Sequence, residues 1–467
     1  MALVSRFLDN KRNSLIIFSL ILIIFISIEF KGLSHIDPGD EYVYIYMGKL
    51  VAEGYVPYRD FFLAHPPLLV FSYALLYKLF GFKLFMFKFV ELLVFILSSF
   101  FIYLIARHKF NYTVALLSVL FFLSSKIILF ESTYFLGMGL TTLLFLIGLY
   151  YAINRNSYFV SGLFMALSAL TRLNALVLII AFILILFIKG DKKNVYHISF
   201  GFLLLFAAIN FMFIIITGFS FIQSVYLFHL LKPAIGSTTL EIFTGFIKEN
   251  FFLVTGFFLF IFSRKREISI FLILAFSYFV FLAVSKRIFS FYLVIVIPLL
   301  SIIAAYSVDY ILKRYNGDSL IKYSIISLLT IIFIVNTSIS VNRLYDFDFI
   351  DFGSFNEIKD YINDNSKNED LLFGDATSAP LFALFTQRDI ALNMPDTNIQ
   401  LFQTGVVDIE DLIVKLNSSN VRFVIIRPLS GIGSIREFQA YLESECKLLK
   451  WFKDELQGDF LLYGCGK

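Results

Sequence analysis

The chain has 467 residues, 59% hydrophobic and 16% charged, with 60 Phe. No soluble core could hide that much apolar side chain, so a soluble globular protein is excluded and a multi-pass membrane protein expected. The formal net charge of +4 says little, because in such a chain the placement of charges matters more than their sum.

The first apolar run, Leu15 to Phe30, follows Arg6, Lys11 and Arg12 as a signal peptide would. It lacks a small-residue cleavage site and further spans follow, so a retained signal anchor is expected. Runs suited to spanning lie near 14–30, 84–106, 112–128, 134–153, 157–171, 173–188, 196–217, 250–263, 268–285, 288–311 and 320–340. A twelfth, Pro67 to Phe80, is short for a ~30 Å hydrocarbon core. If it does not cross, the clusters Arg107-His108-Lys109, Lys189 with Lys192-Lys193, Arg264-Lys265-Arg266 and Lys313-Arg314 all share the side of the basic N-terminus, as the positive-inside rule asks. If it crosses, all four move outside. It is therefore expected as an interfacial helix on the outer face, with a cytoplasmic N-terminus and residues 31–82 as one large external loop.

Within that loop, Tyr42, Tyr46, Leu50 and Val43, Met47 recur at helical spacing behind a Pro-Gly turn. Glu41 to Ala52 thus reads as an amphipathic helix on the membrane surface, with Asp40 as its N-cap. Glu41 follows directly, and a pair of carboxylates where membrane meets water is expensive without a task. The same parity puts everything after Ser340 outside. Residues 341–467 carry 12 Lys plus Arg against 20 Asp plus Glu, net −8, and read as a water-soluble segment. Amphipathic helices at 355–365 and 409–416 alternate with short apolar strands at 371–373, 423–426 and 460–463, which suits a small α/β domain. Cys446 and Cys465 are either a disulfide, tying the penultimate helix to the last strand, or two buried thiols. The sequon Asn417-Ser418-Ser419 lies outside by this topology and Asn111-Tyr112-Thr113 inside. The expected architecture is an α-helical polytopic membrane protein of about 11 transmembrane helices over residues 1–340, with interfacial helices in its first external loop and a small α/β external domain over 341–467.

The ordered set Asp40-Glu41, Gly54, Pro57-Tyr58-Arg59-Asp60, Pro66-Pro67-Leu68 and Phe80-Gly81 resembles the first external loop of the GT-C glycosyltransferases. The nearest likeness is to the branch with protein O-mannosyltransferases and aminoarabinose transferases. Downstream, Glu131 stands in the next external loop, where that family often has a second acid. "LTRLN" around Arg172 resembles its turn between two short spans, and Arg287 to Pro298, with Tyr292, resembles its Arg…Tyr…Pro segment. Several relatives carry Lys where His65 stands.

The resemblance implies a membrane glycosyltransferase. It would move a sugar, mannose-like, from a polyprenyl- or dolichyl-phosphate donor to a glycan, lipid or protein acceptor on the outer face of the cell membrane, inverting the anomeric carbon. On that resemblance Asp40 is the general base, Glu41 its substitute and Glu131 the second acid. The lipid phosphate leaving group needs cations at membrane depth. By topology the external cations near the bilayer are Arg59, His65, Lys126, Arg172, Lys232, Lys286 and Arg287. Arg287 and Arg172, between short apolar segments, are favoured for the donor phosphate, with Arg59 and His65 beside them, whereas Lys286 reads as snorkelling. Tyr58 and Tyr292 are further substrate contacts. His229 reads as an ordinary interfacial histidine. No cofactor is required; a divalent cation could sit on Asp40, Glu41 and Glu131 through waters, although no His/Cys cluster asks for one. No nucleic-acid partner is expected.

The competing class is a transporter or flippase of lipid-linked sugars, against which stand the lack of a detectable internal repeat and the few ionisable groups within the spans. An oligosaccharyltransferase would carry a tryptophan-rich signature, and the single Trp, Trp451, is in no such motif.

Overall fold

The structure, a computed structural model, describes residues 10–233, 238–262, 268–285, 288–314, 319–350, 352–428, 430–454 and 458–466. Each apolar run becomes helical. Among the described residues four helices are long and apolar enough to cross a membrane, Lys11–Glu29, Leu84–Lys109, Lys192–Thr217 and Ile326–Asp348, with a fifth if Thr239–Glu249 and Phe251–Ile261, bent by 90°, count as one. Tyr112–Leu123, Met138–Asn154, Tyr158–Thr171, Ala175–Ile188 and Ser269–Val284 are shorter apolar helices. The run at 288–311 splits into a 3-10 turn, Ser290–Ile295, and the helix Ile297–Arg314. The chain is a multi-pass membrane protein.

Compactness divides the chain in a way that a cut at residue 340 does not. One unit gathers Met1–Ser34, Phe87–Asn210 and Ala234–Phe349; the other gathers His35–Met86, Phe211–Pro233 and Ile350–Lys467. In the first unit the helix Ile297–Arg314 is buried along most of its length and packs on Tyr112–Leu123 and Phe251–Phe258. A Cβ at Gly256 would meet the Ala304 Cβ at 2.5 Å, so only small residues let these helices approach without lipid between them. The one acid on the inner helix, Asp309, is satisfied by Asn111 Nδ2 at 3.0 Å and Lys313 Nζ at 2.8 Å.

The second unit is built on a five-stranded sheet in the order β2-β1-β3-β5-β4, where β1 is Leu371–Gly374, β2 Asp389–Ile390, β3 Val421–Ile426, β4 Cys446–Phe452 and β5 Phe460–Cys465. β1 runs parallel to β2 and β3, while β5 is antiparallel to β3 and β4. Buried Phe373, Val424, Ile426, Leu412, Phe438 and Leu442 form the core of this α/β layer. The strands at 371–373, 423–426 and 460–463 were legible from their apolar runs. β4 was not, because it is an edge strand whose Lys447, Leu448, Leu449 and Trp451 stay exposed and lack alternation. Cys446 and Cys465 form a disulfide. It joins neighbouring residues of β4 and β5 rather than a helix and a strand, since the helix Arg436–Glu445 ends one residue earlier.

Candidate active site

From His35 onward the first loop folds within the second unit. Gly39, in extended conformation, precedes the helix Asp40–Ala52 with no side-chain cap, so Asp40 is the first helical residue and not the cap expected of it. Asp40 and Glu41 both lie in the first turn, where exposed N–H groups favour negative charge. Their environments differ. Asp40 is exposed, whereas Glu41 is fully buried, as are Tyr42, Val43, Ile45, Tyr46, Met47 and Leu50. Burial on that many sides is more than a surface-lying amphipathic helix shows. Its cover comes from two directions, the helix Leu68–Phe80 and the helix Ala379–Thr386. Against the first, a Cβ at Gly48 would come 2.7 Å from Tyr73 Cβ, so the helices cross at the glycine. Toward the sheet, Tyr46 Oη accepts the Ile390 N–H at 2.7 Å and Lys49 Nζ meets Asp389 Oδ1 at 2.5 Å. The helix Leu68–Phe80, 13 residues and so roughly 20 Å long, leaves Phe71, Leu75 and Leu79 exposed along one stripe, as a helix seated at the lipid interface would.

Between these helices the Pro57-Tyr58-Arg59-Asp60 motif is a tight turn. Tyr58 sits at φ 70°, buried, and its hydroxyl donates to His65 O at 2.7 Å; its ring stands edge-on to Phe213 and Phe221. Asp60 accepts the Val56 N–H and takes both ends of exposed Arg59 at 2.8 and 2.9 Å. The Arg59 guanidinium beside Asp60 holds that carboxyl below its usual range, helped by the Val56 N–H. His65 Nε2 lies 2.9 Å from Tyr44 Oη, and its ring stacks on His229 with centroids 5.5 Å apart. His229 Nε2 lies 2.6 Å from Ala64 O, an acceptor only, so this nitrogen carries the proton. The ordinary interfacial reading of His229 thus gives way to a defined partner of His65, which sequence spacing could not reveal. Next along this segment, Lys232 Nζ lies 4.3 Å from the Phe228 ring centroid.

The sheet adds a residue that the sequence did not single out. Asp396, in the loop after β2, accepts the Asn398 N–H at 3.1 Å. Burial pushes its carboxyl up to about 6; the Asn398 N–H opposes this, the negative charge of Asp40 adds to it, and Lys232 opposes.

The remaining candidates fall in the first unit. Glu131, nearly buried, ends the short helix Lys126–Glu131, and Lys126 on the same helix is paired with Asp348. Arg172 is also nearly buried, with Nε donating to Leu136 O at 2.9 Å and Nη2 reaching the same oxygen, so it braces the loop that follows Glu131. Tyr292 accepts the Tyr278 hydroxyl on its carbonyl at 2.8 Å, and its ring is edge-on to Phe291. Lys286 and Arg287 lie outside the described residues. Asp40, Glu41, Tyr58, Arg59 and His65 therefore share one unit, and Glu131, Arg172 and Tyr292 the other. Among the described residues no group of three or more His, Cys, Asp or Glu is gathered as a metal ion needs, and the set Asp40, Glu41 and Glu131 is no such group.

Residues 64–217 match the family described as dolichyl-phosphate-mannose-protein mannosyltransferase. No curated protein sequence matches the chain. In fold the chain is similar to ArnT from Cupriavidus metallidurans bound to undecaprenyl phosphate, with a TM-score of 0.65 at 14% identity over 95% of this chain and 97% of that one. It is similar also to the archaeal oligosaccharyltransferase AglB from Archaeoglobus fulgidus in complex with an inhibitory peptide and a dolichol-phosphate, with a TM-score of 0.59 at 12% identity over 89% and 69%. A third likeness is to the arabinofuranosyltransferase AftD from Mycobacteria, with a TM-score of 0.52 at 12% identity over 98% of this chain but 40% of that one. At such identities these likenesses speak for the fold. In that fold and in the matched segment, the chain resembles the GT-C glycosyltransferases of the branch its first loop pointed to.

Proposed function

We propose that this protein is a membrane glycosyltransferase that moves a hexose, mannose-like, from a polyprenyl- or dolichyl-phosphate donor to an acceptor on the outer face of the membrane. Asp40 is its general base. The acceptor hydroxyl oxygen attacks the anomeric carbon opposite the phosphate, the bond from that carbon to the phosphate oxygen breaks with its electrons staying on the lipid phosphate, and the hydroxyl proton passes to Asp40, so that configuration inverts. The carrying observation is the contrast in the first turn of the helix Asp40–Ala52: Asp40 is exposed to an arriving acceptor and Glu41 is enclosed. The reported partners of the fold neighbours, undecaprenyl phosphate and dolichol-phosphate, favour a polyprenyl-phosphate donor, and the matched family's description favours mannose.

By the family resemblance Arg287, Arg172, Arg59 and His65 are the proposed cations for the departing phosphate, and Tyr58 and Tyr292 the proposed further substrate contacts. His65 enters as the phosphate contact on its tyrosine and histidine partners. Arg172 shares its charge with the Leu136 carbonyl that it braces. An apolar groove in the first unit, lined by Phe243, Phe246, Leu253, Phe257, Phe276 and Phe279, supports the reading of a long lipid tail.

The test is direct. Membranes carrying the protein are incubated with radiolabelled dolichyl- and undecaprenyl-phosphate sugars. Label leaving the lipid fraction with wild type but not with Asp40→Asn supports the reading, and label that never leaves any of these lipids counts against it. Arg287→Ala should raise the donor KM while Lys286→Ala does much less, because a hydrogen-bonded charge partner is worth several times a snorkelling one. Equal, small effects would remove Arg287 from the phosphate site.

A further inference from the structure

We infer that His229 is a positioning residue for His65: the two imidazoles form a stacked pair that holds one proton against the donor phosphate, so that donor binding weakens as pH rises through the histidine range. The inference rests on the proposed function only in naming His65 a phosphate contact.

Successive contacts lay the segment 62–65 along residues 228 and 229. The Phe62 ring stands edge-on to Phe228 with centroids 5.0 Å apart, His229 Nε2 donates to Ala64 O at 2.6 Å, and the His65 and His229 rings stack at 28° and 5.5 Å. Ala64 and Phe228 are buried with Leu401 in one apolar cluster. A second hold comes from the helix Asp40–Ala52, where the Tyr44 hydroxyl lies 2.9 Å from His65 Nε2, and a third from Tyr58, whose hydroxyl donates to the His65 carbonyl. His65 is thus fixed through ring face, ring nitrogen and backbone, as a preorganised contact is. Tyr44, His65 and His229 nevertheless stay half-buried and not enclosed. In the first two turns of their helix Asp40 and Tyr44 are the positions left open, and residues four apart are neighbours on a helix face, so Tyr44 reaches His65 from the face that also carries Asp40.

A tyrosine hydroxyl both donates and accepts. Tyr44 donates to Nε2 of a neutral His65 that carries its proton on Nδ1, and accepts from Nε2–H of a cationic one, so the ring takes up a proton without moving. His229 keeps its Nε2 proton on Ala64 O in either state. A second proton on the pair would set two cations 5.5 Å apart, and each opposes the other. One proton therefore enters first, and the neutral ring stacks on the cation. The charged groups on the elements packed against the pair are Asp40 and the enclosed Glu41 on the helix of Tyr44, Arg59 and Asp60, engaged with each other, in the turn, Lys232 over the Phe228 ring, and Asp396 in the loop before Leu401. Burial pushes the Tyr58 and Tyr226 hydroxyls up, so both stay neutral. The acids favour the proton and Lys232 opposes it.

The chain has five His, so NMR titration of the histidine-labelled full chain in lipid nanodiscs can be assigned by single substitutions. Of His65 and His229, the one with the lower midpoint should rise by at least about half a pH unit when the other is changed to Gln, which is the repulsion of two unit charges 5.5 Å apart even in bulk water. Binding of radiolabelled dolichyl-phosphate mannose, a phosphodiester of constant charge, is then measured without acceptor at about pH 5.5 and about pH 8, on either side of a histidine's ordinary titration. Wild type should bind several-fold more tightly at the lower pH, and His65→Lys equally at both. His229→Ala, which loses the stack and the Ala64 bond, should bind at the lower pH as weakly as wild type does at the higher. His229→Gln, which can still donate to Ala64 O, should recover part of that loss. Wild type that binds equally, or not at all, at the two pH values overturns the inference, as do wild-type binding by His229→Ala and a midpoint that ignores its partner. His65→Gln that binds like wild type at both would instead strike His65 from the phosphate site, and with it the reading on which this inference rests.

Discussion

On the proposed mechanism Asp40 acts through a carboxylate that Asn cannot replace. Because Gly39 and not Asp40 occupies the cap position, Asp40→Asn removes no capping bond and should insert and bind donor lipid normally. Loss of a general base typically costs ~10²- to 10⁴-fold in rate, so transfer should fall by that much. Glu41→Gln changes a group with no surface of its own and should reduce folded yield more than turnover per folded molecule. Wild-type turnover in Asp40→Asn beside a dead but folded Glu41→Gln would move the base to Glu41. A second carboxylate makes a prediction about pH. Asp375, at the end of β1, accepts the Arg427 and Gly433 N–H groups, yet burial pushes its carboxyl up to about 7, those N–H groups opposing. Its folded value lies above the unfolded one of 3.8, so the folded state binds the proton more tightly. The stability this contributes is present below about 4 and is lost as pH rises toward about 7. Thermal unfolding across that window should slope downward in wild type and flatten in Asp375→Asn; parallel slopes would contradict it.

The helix Asp40–Ala52 is an element whose position is set by its neighbours. Tyr46→Phe leaves the Ile390 N–H buried without its acceptor, which typically costs ~1–3 kcal/mol, while the ion pair Lys49–Asp389, with an exposed carboxylate, is worth little. Tyr46→Phe should therefore lower the melting temperature by several degrees and Lys49→Gln by much less. The reverse ranking would mean that the exposed ion pair fastens the helix. On the opposite face, Gly48→Val would drive a side chain into Tyr73 and displace the helix from Leu68–Phe80. Impaired transfer with a preserved melt of the sheet is expected there.

For the molecule as a whole, the sided arrangement is an expectation that an experiment can decide. The basic clusters put residues 341–467 outside, and a net charge of −8 suits that side. A cysteine-free reporter fused after Lys467 should be cut by a membrane-impermeant protease in intact cells. Protection until lysis would reverse the orientation, and the proposed outer-face chemistry with it.

The membrane class, the helical runs and the α/β character of the C-terminal segment were legible because each is written locally, in apolar run length, in basic clusters and in alternation. The acidic pair with Tyr58, Arg59 and His65 was legible because one loop carries all of them. What the sequence could not contain was how its remote stretches meet. That the helix of Asp40 is enclosed rather than laid on a surface follows from cover supplied by the helix Ala379–Thr386. Likewise His229 becomes the stacking partner of His65 only once the chain has closed. Stacking, burial and charge coupling act over a few ångströms in space, and the spacing of residues along a chain does not record such distances.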